Sequence, residues 1–587
     1  FDHNSVDARD GMRTLHAAPR QESPPRPPRD ATRHLCAGVY VDENFRDLVT
    51  GEICTTPYRR VAPSYGFDLV PVIRHAWWAT HLAALPRLMI IVLVVAPLAL
   101  GHITAALLTV GGLTLLLLFD RALTLSSDIA RIDHPLPSRR KKTRRTWKLP
   151  SASEWAWRKE TRQLKHAGVA ALTISLVMTA LAVNSPSQAL LAAYLGGTIV
   201  STAVFAGVVR QIRINRIHNA ETLRPRRLSH RESVVDQQQE HPCVVYRRPK
   251  HKGKEDEDSS VFTLFGEESP FIGAGELIHQ WNPPMSIQLL RPGSEGQPLH
   301  QREHRYPPFK THELVDHLRE AVAQLQSDDE EVRLPVEVRD RVYVAESDVS
   351  ADRTLLREPV SKTSVRRIID EQHPTRHHFL EVSVPDAGAE LMATVLLQVS
   401  LRGRTLSLSF AACALTRTPD HFRKAEEFGQ NGKRAVVGSA FRALGALPRE
   451  SASLWKVVRY PYILAKALVL HRRDLTLTPI RNVPIGSRIS VRQEQAQEWS
   501  KVQLDKTRVL GHMKNIEQRL LKATSDFLHS RGVDISEFDD RALQIINSGI
   551  VNLGGTNDIS NTAVGDQAQA YNNFQQPLGT AQNGNTT

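Results

Sequence analysis

Two long stretches without a single Asp, Glu, Lys or Arg dominate this sequence, Leu88–Phe119 and Ala167–Val209. The first has 32 residues. As one straight helix it would reach roughly 48 Å at about 1.5 Å per residue, far beyond a hydrocarbon core of about 30 Å. Each stretch is therefore expected to fold back on itself. The first turns near Gly101-His102, giving spans from about Leu82 to Leu100 and from Ile103 to Phe119. The second turns through Asn184-Ser185-Pro186-Ser187-Gln188, between Ala167–Val183 and Ala189–Val209. The fold class expected is thus α-helical membrane, with four spans as two hairpins, plus a cytosolic α+β domain and a helical segment. Arg87 falls near the end of the first span, where its stem can snorkel to the interface.

Charge sets the orientation. Between the hairpins, Asp120–His166 holds 13 Lys/Arg and five acids, including Arg139, Arg140, Lys141, Lys142, Arg144 and Arg145. After the last span, Arg210–Glu255 holds 12 Lys/Arg and five acids, whereas neither hairpin turn holds any charge. Basic loops stay on the cytoplasmic side, so a multi-pass protein of the cytoplasmic (inner) membrane with both termini cytosolic is expected. These segments supply 25 of the 75 Lys and Arg. The expected partners of that basic excess are the lipid bilayer and its anionic headgroups. Trp155 and Trp157 read as interfacial anchors rather than stacking platforms, so nucleic acid is not expected as a partner. The scattered Cys36, Cys54, Cys243 and Cys413 form no C-x-x-C pair and fit a reducing compartment. No basic stretch followed by an apolar one lies near Phe1, so no cleavable leader is expected.

The rest divides by composition. Residues 1–35 form a proline-rich flexible arm, and 36–81 a denser N-terminal cytosolic segment too short to fold alone. The hairpins occupy 82–119 and 167–209, separated by a basic loop at 120–166. A basic linker at 210–255 precedes an α+β domain at 256–425. There Val261–Phe265, Met285–Leu290, Val342–Ala345, Phe379–Val384, Thr394–Ser400 and Leu406–Phe410 read as strands, and Thr311–Leu325 as an amphipathic helix. Arg434–Leu447 and Ser451–Leu470 read as helices. The second is either an interfacial helix on the inner leaflet or a helix of the soluble domain, with Pro461 bending it. Within the helical region at 430–530, Gln493–Leu528 carries Trp499, Val502, Val509, Met513, Ile516, Leu520, Ala523 and Phe527 at alternating steps of three and four, interrupted only by Lys506. The residues Val502, Val509, Met513, Ile516, Leu520 and Phe527 would form a self-association seam, making the chain a homo-oligomer. A helix docked on its own domain gives the same pattern.

The low-charge polar tail, 531–587, has two acids, eight Asn and no Lys or Arg from Gln544 onward. Its short β-prone islands resemble the amyloid-type signalling motifs of some bacterial immune proteins; a disordered terminus reads alike. Two further segments, Arg59-Arg60-Val61-Ala62-Pro63-Ser64-Tyr65-Gly66 and Ser269-Pro270-Phe271-Ile272-Gly273-Ala274-Gly275-Glu276, resemble stretches of uncharacterised actinobacterial multi-pass membrane proteins. That resemblance covers about a tenth of the chain and implies no activity.

Catalytic motifs are sparse in the sequence. No phosphate-binding P-loop and no G-x-S-x-G elbow occur, and Gly273-Ala274-Gly275 lacks a third glycine, so no cofactor is expected. His300, Glu303 and His304 spell the H-x-x-E-H zinc string, which works only on a helix; Pro298 and Pro307-Pro308 flank it and predict a loop. His373, His377 and His378 read as a solvated loop cluster. No catalytic residue is assigned. The reading leans to a non-enzymatic membrane protein with a sensing, binding or assembly domain, in the manner of a bacterial stress or defence effector. A channel or transporter subunit and a membrane-anchored enzyme are the alternatives.

Overall fold

The computed structural model describes residues 29–131, 152–246, 270–293, 297–327, 333–346, 361–371, 375–423, 426, 431–470 and 485–548. The Arg139–Arg145 cluster, the strand expected at 261–265, His373 and most of the arm and tail lie outside them.

The chain enters through α1 (Asp30–Val41), α2 (Glu43–Leu48) and a π-helical turn at Val49–Cys54. The Asp42 carboxylate starts α2 by accepting from the amides of Asn44 and Phe45, at 2.8 and 3.2 Å, the usual remedy for unpaired first-turn donors. Four long helices follow: α3 (Leu69–Ala99), α4 (Ile103–Arg131), α5 (Ala152–Asn184) and α6 (Pro186–Asn219). All four are long and apolar enough to cross a membrane. The second break condenses to Ser185, with Pro186 at the first helical position, where its missing N–H costs nothing. Both turns meet at one end, where the Gln188 amide lies 3.0 Å from His102 Nδ1.

The first helix begins at Leu69 rather than near Leu82. Its added turns are apolar because protein covers them: Leu69, Val72, Ile73 and Ala76 share a core with Leu35, Val39 and Phe45 of α1 and α2 and with Ile214 and Ile217 of α6. The stretch 210–255 also differs from the linker expected. It contains the end of α6, then α7 (His230–Gln239), closed by a Ser229/Glu232 capping box, then β1 (Cys243–Tyr246).

The remaining strands are β2 (Glu276–Gln280), β3 (Met285–Gln288), β4 (Glu337–Ala345), β5 (Arg376–Asp386), β6 (Leu391–Arg402) and β7 (Thr405–Leu415). They form one seven-stranded sheet in the order β1-β4-β5-β6-β7-β2, with β3 also on β7. Only β1 and β4 run parallel. Side chains alternate faces along a strand. Leu380, Val382 and Val384 of β5 join a core beneath α8 (Thr311–Ala323) and α12 (Gln503–Ser530), while Phe379 of the same strand enters a second core on the opposite face. With both faces covered, the strands read as dense apolar runs such as Ala393–Leu397 rather than clean alternation. Helix α9 (Lys362–Glu371) borders the first face, α10 (Lys433–Ala452) and α11 (Arg459–Leu470) leave the sheet toward the four long helices, and α13 (Ser536–Ser548) follows α12.

The seam expected from Gln493 to Leu528 takes a different form. Short 3-10 turns at Gln493–Gln495 and Trp499–Lys501 precede the helix, which starts only at Gln503. Val509, Met513, Ile516, Leu520 and Phe527 are buried in the sheet's own core, and Val502 is buried at the helix entry. Lys506 interrupts the stripe because its ammonium sits 5.7 Å from the ring of buried Trp499. The docked-helix alternative is the one observed, and the proposed self-association residues face their own domain. Ile516→Ala should therefore lower stability by about 2–5 kcal/mol and leave the mass of the detergent-solubilised protein unchanged. Equilibrium denaturation and light scattering together check this, since a seam between copies would change the mass.

Candidate functional site at the junction of bundle and sheet

Among the described residues no group of three His, Cys, Asp or Glu is placed to hold a metal. The zinc string is taken apart by its neighbours. Leu299–Arg302 is a single helical turn, and Glu303 lies beyond it, paired with Arg404. Desolvation and nearby Arg291 lower the pKa of His304. In the histidine cluster, His377 and His378 lie on β5 rather than in a loop, and buried His378 places Nε2 2.9 Å from Asp340 Oδ1 on β4, a hydrogen bond within the sheet.

Buried polar chemistry concentrates where the N-terminal helices and the long helices meet the sheet. The two segments singled out for their resemblance come together there. Tyr65 and Phe271 share a core with Tyr343, Phe379 and Cys413 on the sheet's second face. Phe271 meets Tyr343 and Phe379 edge-on, with ring centroids 5.4 and 5.3 Å away. Packing requires a glycine at position 273: its φ is +99°, and a Cβ there would lie 2.7 Å from the carbonyl oxygen of Pro63.

At the centre of this face, the Tyr65 hydroxyl donates to Glu381 Oε2 at 2.7 Å, and Arg341 Nε donates to the same oxygen at 3.0 Å. Burial works against the charge on Arg341, but adjacent Glu381 outweighs it and raises the guanidinium pKa. Burial pushes the Tyr65 phenol up, with Glu381 adding to it, so it stays a donor. Beside them, fully buried Arg492 donates to the carbonyl oxygens of Tyr65 (2.5 Å) and Glu390 (2.8 Å). Desolvation lowers its pKa to about 10.

Glu390 continues the network outward. It accepts from the Thr418 amide at 3.1 Å and lies 2.5 Å from His34 Nδ1 on α1; Glu426 lies 2.9 Å from the other ring nitrogen. Burial favours neutral His34, but the two carboxylates prevail and raise its pKa above the ordinary 6.5. Burial would raise Glu390, but His34, the Thr418 amide and Arg492 bring it to about 2.

A second charged node lies along α3. Arg87, buried despite its place among apolar residues, directs Nε to Glu450 on α10 at 2.5 Å and Nη1 to Glu43 on α2 at 3.1 Å. Lys456 reaches Glu43 at 3.2 Å, and Tyr460 at the start of α11 bonds His81 of α3 at 2.7 Å. Helix α10 itself crosses α6 at Gly207, where a Cβ would lie 2.6 Å from that of Ala443, and Ser439 donates to the Gly207 carbonyl at 3.3 Å. The sequence reading recognised Arg87 as an intruder in an apolar run but not its partners, which lie 44 residues before and 363 residues after it.

These groups hold the N-terminal helices, the long helices and the sheet in one arrangement. Two outcomes follow. A double-mutant cycle with Arg87→Met and Glu450→Gln should give a coupling of about 0.5–3 kcal/mol in the unfolding free energy; additive losses would mean that the contact carries no energy. The second concerns pH. Because the folded pKa of His34 is raised, its contribution is complete below the ordinary 6.5 and is lost as pH rises through the raised value. Glu390 contributes fully above 4.5 and loses its contribution as pH falls toward 2. Thermal unfolding between about pH 5 and pH 9 should show an alkaline loss that His34→Gln removes.

No curated protein and no solved structure matches the chain. Residues 280–560, which carry strands β3 to β7, the α10–α11 pair and α12, match the family model of the AbeC-like domain.

Proposed function

We propose that this chain is an integral protein of a bacterial cytoplasmic membrane whose cytosolic sheet domain senses or binds a signal and passes it to the four-helix bundle. The observation that carries this reading is the shared core of the two parts. Phe422, just past β7, and Val491 belong to the same buried cluster as Leu35, Val39, Leu69 and Ile73. A domain merely tethered to a membrane needs only an exposed linker; a buried interface lets a shift in one part load the other. Four apolar helices, basic flanks that orient them with both termini in the cytosol, and a polar network without a nucleophile all suit a sensor or effector better than an enzyme. A stress or defence effector acting on the membrane is the specific form of this reading, supported by the likeness of the tail.

Hydrogen exchange tests the coupling. Glu381→Gln weakens the network at the sheet, and its effect should spread to amides of Leu69–Ala79 and Arg210–Asn219. Faster exchange confined to the sheet strands would sink the reading. Assembly is tested separately by the mass of detergent-solubilised protein, whole and cut at Gln544. A defined oligomer that needs the tail supports an assembling effector, whereas a monomer in both forms removes assembly from the proposal.

A further inference from the structure

The helix pair between β7 and α12 has an apolar side that no described part of the chain covers. Helix α10 packs against α3, α4 and α6 with Ala435, Ser439, Ala443 and Leu447, four residues apart and all buried. Its other side carries Val437, Phe441 and Leu444, with Phe441 70% exposed. After the turn at Leu454–Val458, α11 adds Tyr462, Leu468 and Val469, with Leu468 68% exposed. For comparison, Leu176 on the outer side of α5 is 74% exposed. Water would be a poor neighbour for so much contiguous apolar surface.

The depth of α10 identifies what lies there. Leu447 clusters with Ile90 on α3 and with Ile199 and Ala203 on α6. On α6, Ala203 and Ile199 stand six and ten residues inside Val209, the last residue before Arg210. At about 1.5 Å per residue this is roughly 9–15 Å below the charged end of the helix, as much as half of a hydrocarbon core of about 30 Å. Phe205, on the side of α6 away from α10, is also exposed, so the candidate span that holds α10 carries bare apolar surface of its own. Charge agrees with depth. Residues 431–470 contain seven Lys and Arg and a single acid, Glu450, which is bonded to Arg87. Basic side chains on an otherwise apolar helix reach up to anionic headgroups while the apolar side enters the acyl chains.

We infer that Lys433–Leu470 is embedded in the inner leaflet, with Val437, Phe441, Leu444, Tyr462, Leu468 and Val469 in contact with lipid acyl chains. This inference rests on the four-span reading. It gives the sheet domain a direct hold on the bilayer besides its hold on the bundle. A signal at the sheet then reaches the leaflet through β7 and α10.

Bimane attached in lipid nanodiscs at Phe441→Cys, Leu468→Cys, Leu176→Cys and Lys501→Cys tests it, with lipids brominated on their acyl chains as quenchers. All four positions are exposed, so the label displaces no core. Quenching at Phe441 and Leu468 should equal that at Leu176 and exceed that at Lys501 severalfold. Quenching at Phe441 and Leu468 no greater than at Lys501, with Leu176 still quenched, would overturn the inference and leave the spans intact. Absence of quenching at Leu176 would overturn both.

Discussion

The helix from Leu69 to Ala99 is rich in apolar residues at both ends, yet those ends meet different surroundings, and the neighbouring helices are arranged around that difference. Leu69, Val72, Ile73 and Ala76 are buried by protein, whereas Val92, Val95 and Leu98 are bare. Arg87 marks the border. A lone guanidinium buried among apolar side chains would be costly, and it is tolerated because Glu43 and Glu450 reach it from α2 and α10. Meeting this one charge draws a helix from before the long helices and another from far beyond them to a single point. That convergence ties α2 and α10 to α3, and the shared core around Phe422 and Val491 joins the sheet domain to the same helices.

A second buried charge system performs the same service on the sheet. Arg341 and Glu381 are fully buried, and such a pair gains little net stability over well-packed apolar side chains. What it gains is direction. An apolar patch on the second face of the sheet would accept many neighbours, while the Glu381 carboxylate accepts a hydroxyl at one position and finds it on Tyr65. Arg492 then fixes the backbone of Tyr65 and Glu390 together. The polar seam thus specifies which segment covers the sheet, and the surrounding Phe271, Phe379 and Tyr343 supply the burial.

Much of this was legible in the sequence wherever local periodicity met a single environment. The four long helices, the break at Ser185, the helix from Thr311 and the central strands near 342, 379, 394 and 406 all follow from apolar runs and their punctuation. Strand β1 was not legible: four residues beside His241-Pro242 within a basic stretch carry no alternation, and they become a strand only by lying parallel to β4. Strand β2 hides for a similar reason, since Glu276 and His279 dilute its pattern. That the helix carrying the first expected span begins as early as Leu69 was not legible, because periodicity cannot distinguish an apolar turn covered by protein from one exposed at the surface. The stripe from Val509 to Phe527 shows the same ambiguity, because an identical spacing serves a seam between copies and a helix docked on a sheet. The junction was invisible for another reason: Arg87, Glu43 and Glu450, like Tyr65, Glu381 and Arg492, are brought together by topology alone.

That topology also constrains how the stretch matching the AbeC-like domain works. Its boundary at Gln280 falls at the end of β2, so the match omits β1 and nearly all of β2, one at each side of the sheet. Tyr65, which completes the polar seam on Glu381, lies outside it too. The buried side of α10, inside the match, finds its partners on α3, α4 and α6, all outside. Residues 280–560 therefore hold the sheet's central strands and its helical layer but depend on the preceding chain for the second face and for the cover over α10. The second face is closed by Tyr65, Val244, Phe271 and Ala274 from segments flanking the long helices, and α10 rests on the long helices themselves, so the matching stretch is completed by chain on both sides of the bundle.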